Sequence, residues 1–296
     1  MIQRSRARHL VLAGGLAVAT AMSVVSAQPA SAGSGTLYGA VVAKRGTETF
    51  GTAMARQDAS YGQLPISRIF YAKGPQPWPG NAGLSERPVV VSFYYRPAEV
   101  LLGTHDAALR SWFQTAPTTY DVYWAYVHEP EDNIERGEFT AAQYRAALTR
   151  VARLAAEADN PHLRATLIMM CWTLGPVSGR DWHDYYPGPD VVQYAAFDCY
   201  NYFGRSGKYV TPEQLFARVL EFGAATGIPW GIAEVGSIKV GSDTSGERRA
   251  AWLRSVGRFL AGKALFVNYF DVKLSVDYRL LDTPSRTAWK EVVTTY

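Results

Sequence analysis

The chain has 296 residues, with 30 Lys and Arg against 26 Asp and Glu and a formal charge of +4. Three of those arginines (Arg4, Arg6 and Arg8) lie in an N-terminal leader, so residues 33–296 hold 27 basic and 26 acidic side chains, a charge of +1. That balance gives no broad basic surface for nucleic acid or an anionic membrane, and it permits a neutral polymer as partner.

The leader reads as a secretory signal peptide. A basic start precedes an apolar stretch from Leu10 to Ala27, and Ala30-Ser31-Ala32 supplies a small-x-small cleavage site. The expected organisation is therefore residues 1–32 as the signal peptide and residues 33–296 as one folded domain. An uncleaved membrane anchor is the rival reading of the same stretch. Cleavage implies a secreted, extracellular protein with no membrane contact in its mature form.

Short apolar runs alternate with helical patterns from there on. The strand candidates are Leu37–Val42, Arg68–Ala72, Pro88–Tyr95, Val122–His128, Ala165–Trp172, Tyr194–Asn201, Trp230–Glu234 and Ala264–Phe270. Several are near-continuous in apolar residues, as strands covered on both faces are. Gly46–Arg87 is rich in Pro and Gly and is expected to be irregular. Thr140 with Gln143 reads as a capping box opening a helix toward Ala158. Thr211-Pro212-Glu213 opens another that Gly227 closes. Ser245 or a near neighbour opens a third, ending near Gly262, and Thr283-Pro284 opens the last. Eight strands alternating with helices over this length predict a single (β/α)₈ TIM barrel of the α/β class. A doubly wound open sheet is the alternative, but no Gly-rich phosphate loop follows the first strand.

In such a barrel the active site lies at the C-terminal ends of the strands. Two glutamates close apolar runs there: Glu129 in Tyr123-Trp-Ala-Tyr-Val-His-Glu, and Glu234 in Ile228-Pro-Trp-Gly-Ile-Ala-Glu. A carboxylate at the end of a buried strand is costly without a task. Two that face each other across a barrel mouth suit cleavage of a glycosidic bond by double displacement. Glu129 is assigned as acid/base and Glu234 as nucleophile. Tyr200, at the end of the neighbouring strand, is the expected partner of Glu234. His128 and Asp198 are candidates for hydrogen bonds to sugar hydroxyls, Trp172 and Tyr269 for stacking platforms, and Arg96 for orienting a carboxylate. Plain surface roles for Glu129 with its acidic neighbours Glu131 and Asp132, and core roles for Trp172 and Tyr269, stay open.

No metal site or cofactor is expected, because no His, Cys or Asp ligand spacing is present. That also disfavours a metal-dependent deacetylase or peptidase, and no serine sits in a nucleophile elbow. His105, His162 and His183 belong to no constellation. Cys171 and Cys199 lie late in neighbouring strands, where a disulfide is possible, but side-chain direction decides it. The chain is read as a monomer. A barrel that binds carbohydrate without catalysis is the alternative to an enzyme.

Three segments resemble glycoside hydrolase family 26. They are His128-Glu129, the run Trp182-His-Asp-Tyr-Tyr-Pro-Gly-Pro-Asp190 leading into Phe197-Asp198-Cys-Tyr200-Asn201, and Glu234-Val-Gly. The resemblance spans roughly Val122 to Phe270. It implies a retaining (β/α)₈ enzyme, in a family of mainly β-mannanases with some β-1,3-xylanases and mixed-linkage β-glucanases. It also implies Glu129 as acid/base, Glu234 as nucleophile, and His128, Asp198 and Tyr200 as supporting residues. The chain departs from the family where Ala125-Tyr126 replace an Arg-Pro pair before His-Glu, and where Pro130-Glu-Asp-Asn133 follow it. It therefore reads as a divergent relative with substrate identity open.

Overall fold

The computed structural model describes residues 35–78, 86–201 and 207–296. The leader lies outside the described residues. Eight strands form a closed barrel in sequence order, each parallel to its neighbours: β1 Leu37–Val41, β2 Ser67–Tyr71, β3 Val89–Phe93, β4 Val122–Tyr126, β5 Leu163–Met170, β6 Tyr194–Asn201, β7 Trp230–Ser237 and β8 Phe266–Tyr269. The helices around it are α1 Phe50–Tyr61, α2 Pro97–Leu101, α3 Asp106–Gln114, α4 Pro130–Glu135, α5 Ala141–Ala156, α6 Pro212–Thr226, α7 Glu247–Leu260 and α8 Thr283–Thr295. The architecture is a single (β/α)₈ barrel.

Alternation along each strand builds two cores. Val91, Trp124, Leu167, Phe197, Ile232 and Val267 point outward and pack under the helices. Val90, Tyr123, Ala125, Ile168, Ala196, Ala233 and Phe266 meet inside the barrel, where the period of two places every other residue. Gly231 is needed in that inner layer. A Cβ there would lie 2.5 Å from the ring of Phe266.

The helix ends follow local chemistry. The Thr140 hydroxyl accepts the Gln143 backbone N–H at 3.2 Å, and the Gln143 side chain accepts the Thr140 N–H at 2.9 Å, which closes the capping box. Thr211 caps α6, and Gly227 ends it at φ 67°. The last two helices open where the sequence predicts, beside Ser245 and at Thr283-Pro284, and aspartates bond their first turns. At α7 the Asp243 carboxylate accepts the Gly246 and Arg249 N–H groups at 3.0 and 2.8 Å. At α8 Asp282 is the cap and accepts the Ser285 N–H at 2.9 Å. Gly46–Arg87 also holds more order than expected. Thr49 caps a 12-residue helix there, α1, whose buried face is only Ala53, Met54, Gln57 and Tyr61. Between β5 and β6 the reverse holds, and the described crossover consists of three short 3₁₀ turns, at Cys171–Leu174, Pro176–Ser178 and Trp182–Asp184.

Candidate active site

Two local distortions aim the two glutamates. β4 stops at Tyr126, earlier than the expected His128, because Val127 and Glu129 adopt positive φ of 49° and 50°. A β-branched residue in that region is a genuine outlier, and such strain costs on the order of 1–3 kcal/mol. Two hydrogen bonds hold it in place: Val127 N–H to the Phe93 carbonyl at 2.9 Å, and Glu129 N–H to the Ile168 carbonyl at 3.0 Å. Pro130 then opens α4 directly behind Glu129. On β7, Phe197 pairs with Ile232 but Asp198 pairs with Glu234, so Ala233 is an extra residue. Bulges of this kind re-aim a side chain next to active sites.

Glu234 is 4% exposed, and its two oxygens face different partners. The Tyr200 hydroxyl donates to its Oε2. The Arg68 guanidinium lies 3.1 Å from its Oε1 as an ion pair, with Arg68 itself wholly buried. Arg68 also donates to the Ser92 Oγ at 2.9 Å, and Ser92 lies 2.9 Å from His128 Nδ1. The Ser92 hydroxyl and Nδ1 share one hydrogen bond, whose direction follows the imidazole tautomer. Burial, with Arg68 adding to it, holds the His128 imidazolium down to about 3, so the ring is neutral. Its ring lies 5.9 Å from that of Phe70.

Glu129 has a different environment. Burial first, then the charges of Glu234, Glu131 and Asp132, push its carboxyl up to about 8, with Arg68 only partly opposing. Near neutral pH it holds its proton. Burial and the same two glutamates also drive Asp198 well above the carboxylate range. Asp198 is 3% exposed, and neither of its carboxyl oxygens has a hydrogen-bond partner among the described residues. An unsatisfied buried carboxyl is costly unless a ligand completes it.

The structure thus gathers Glu129, Glu234, Tyr200, Asp198 and His128 at one end of the barrel. Trp172 stands on the rim, 54% exposed, in the 3₁₀ turn that follows β5 instead of in the strand. Arg96 is exposed at the start of α2. The expectation for Tyr269 is corrected. Its ring is wholly buried under the helices, 5.4 Å from that of Trp289, and its hydroxyl donates to the Tyr278 carbonyl at 2.7 Å, so it offers no platform. His105, His162 and His183 pair locally with Glu99, Asp121 and Asp181.

Three contributors were not assigned a role from the sequence. Arg68 and Ser92 carry the network around Glu234 and His128. A single charge inside the apolar run Ile66–Tyr71 was the available signal for Arg68. The third is Glu131, read as acidic loop, which is wholly buried and whose Oε1 accepts the Met170 N–H at 2.9 Å and the Thr173 hydroxyl at 2.6 Å. Cys171 and Cys199 form a disulfide between the ends of β5 and β6, with Cα atoms 5.1 Å apart. Among the described residues no cluster of His, Cys, Asp and Glu could hold a metal ion.

No protein-family model matches the sequence, and no curated protein matches it. Solved structures do match in fold. A family 26 β-mannanase from Bacteroides ovatus superposes with a TM-score of 0.58 at 11% identity, covering 88% of this chain and 89% of that one. The family 26 domain of a Prevotella bryantii endo-β-mannanase/endo-β-glucanase gives 0.59 at 12%, covering 88% and 89%. A glucosidase from Croceicoccus marinus gives 0.60 at 11%, covering 88% and 67%. At these identities the likeness establishes the barrel fold.

Proposed function

We propose that this protein is a retaining glycoside hydrolase. One observation carries the reading. Two glutamates that sense each other's charge sit in opposite environments, Glu234 paired with a buried guanidinium and Glu129 in no ion pair among the described residues and pushed up to about 8. That division separates a nucleophile from an acid. The Glu234 carboxylate attacks the anomeric carbon while Glu129 protonates the departing oxygen. Glu129, now ionised, takes a proton from water, which opens the glycosyl ester and restores both groups. Arg68 and Tyr200 hold the attacking carboxylate in one orientation. The neutral His128 imidazole, and an Asp198 carboxyl with no hydrogen-bond partner among the described residues, are left for sugar hydroxyls.

The mature charge near zero and the family 26 resemblance support a neutral β-linked polysaccharide as substrate, a mannan first, cut internally. The neighbouring folds are those of enzymes named for mannan and glucan cleavage. The leader and the disulfide support secretion, since disulfides persist in oxidising compartments. No metal or organic cofactor enters this chemistry.

The test is release of reducing ends by residues 33–296 from mannan, glucomannan, β-1,3-xylan, mixed-linkage glucan, arabinan and microbial wall glycans, with Glu234→Gln as the blank. Release from one polymer, lost in the variant, is expected. Binding without release on every polymer would contradict the reading.

A further inference from the structure

The protein has eight tryptophans, and Trp172 alone is exposed. Six others are at least nine-tenths buried, and Trp182 packs against Tyr186 and Phe222. Leaving an indole in water forgoes hydrophobic stabilisation that a structural residue would recover. Yet Trp172 is not on a loose loop. Residues on both sides of it are tied down. Met170 and Thr173 both bond to one oxygen of Glu131, at 2.9 and 2.6 Å, and Cys171 is bonded to Cys199 of β6. The Trp172 carbonyl itself accepts the Gly175 N–H at 2.9 Å. Glu131 lies two residues after Glu129, in the first turn of α4. The exposed ring and the acid/base are therefore held by one frame, with a single buried carboxylate joining them.

Resting on the glycosidase reading, we propose that Trp172 is the platform for the sugar on the leaving-group side of the scissile bond. Glu131 and the Cys171–Cys199 bridge fix that platform relative to Glu129. The acid/base delivers its proton to the leaving oxygen, so the departing sugar lies on its side of the cleft. A rigid aromatic face there stacks on an apolar pyranose face with little ordering cost. An acceptor sugar occupies the same place in the reverse sense. Its hydroxyl oxygen attacks the anomeric carbon of the glycosyl ester, its proton passes to Glu129, and the Glu234 carboxylate leaves.

The partition of the glycosyl-enzyme between water and acceptor tests this, because it is independent of how fast the intermediate forms. The donors are 4-nitrophenyl β-mannoside and β-glucoside, and the acceptors are mannobiose and cellobiose. Trp172→Ala is expected to lower the ratio of transfer to hydrolysis product at least tenfold, and Trp172→Phe to retain most of it. An unchanged ratio in Trp172→Ala, or hydrolysis by the wild type with no transfer to either acceptor, would overturn the platform assignment alone. Failure of the wild type on every donor and on the polymer panel would instead overturn the glycosidase reading, and this inference with it.

Discussion

At the scale of single residues, environment separates two chemically identical side chains. Arg68 is the clearest lever. Replacing it with Met leaves the buried Glu234 carboxylate without its cation and without one of the two groups that orient it. Arg68→Met is expected to lower kcat about 10²-fold while circular dichroism shows folded protein. An unchanged kcat in folded protein would contradict this role. Glu129 sets the basic limb of the kcat/KM profile. With its carboxyl near 8, kcat/KM is expected to fall above about pH 8 as the acid is lost. The same raised value carries a stability consequence. The folded state binds a proton that the unfolded chain releases near the ordinary carboxylate value, so stability declines between those two values as pH rises. Glu129→Gln is therefore expected to abolish polysaccharide cleavage while raising Tm at pH 8 more than at pH 4.5, measured by calorimetry. An equal change at both pH values would remove the buried-acid explanation.

At the scale of elements, local signals were legible where they act through neighbours in sequence. Thr140 and Gln143 announce their own capping box, and Thr211-Pro212 announce α6, because cap chemistry is complete within four residues. Thr140→Ala should cost about 1 kcal/mol in chemical denaturation and leave activity unchanged. The apolar runs of five to eight residues gave the strands for the same reason. What stayed hidden was set from a distance. The early stop of β4 depends on Phe93 and Ile168, on strands that flank it, accepting the N–H groups of a reversed backbone. The bulge at Ala233 exists only in register with β6. Arg68 reads as one cation in an apolar run until the closed barrel sets it beside Glu234. Tyr269 is one residue on from inward-facing Asn268, and that single step turns its ring from the mouth to the helices.

At the scale of the whole molecule, the barrel lets strands distant in sequence supply one site: Arg68 from β2, Ser92 from β3, Asp198 and Tyr200 from β6 and Glu234 from β7. The Cys171–Cys199 bridge closes a separation of 28 residues across the crossover that lacks an α-helix. By the chain-entropy model a loop of that size is worth about 3–4 kcal/mol. Reduction, or Cys171→Ser with Cys199→Ser, is expected to lower stability by that order, read as a shift of the denaturation midpoint. No change would mean that the crossover is held by packing alone. The central claim is that Glu234 attacks and Glu129 protonates, and it fixes the stereochemistry of the product. The most direct measurement is proton NMR of the first-formed reducing ends from whichever β-linked polymer of the panel is cleaved, before mutarotation. The account requires the β-anomer first. Initial appearance of the α-anomer would mean inversion and would remove Glu234 as the nucleophile.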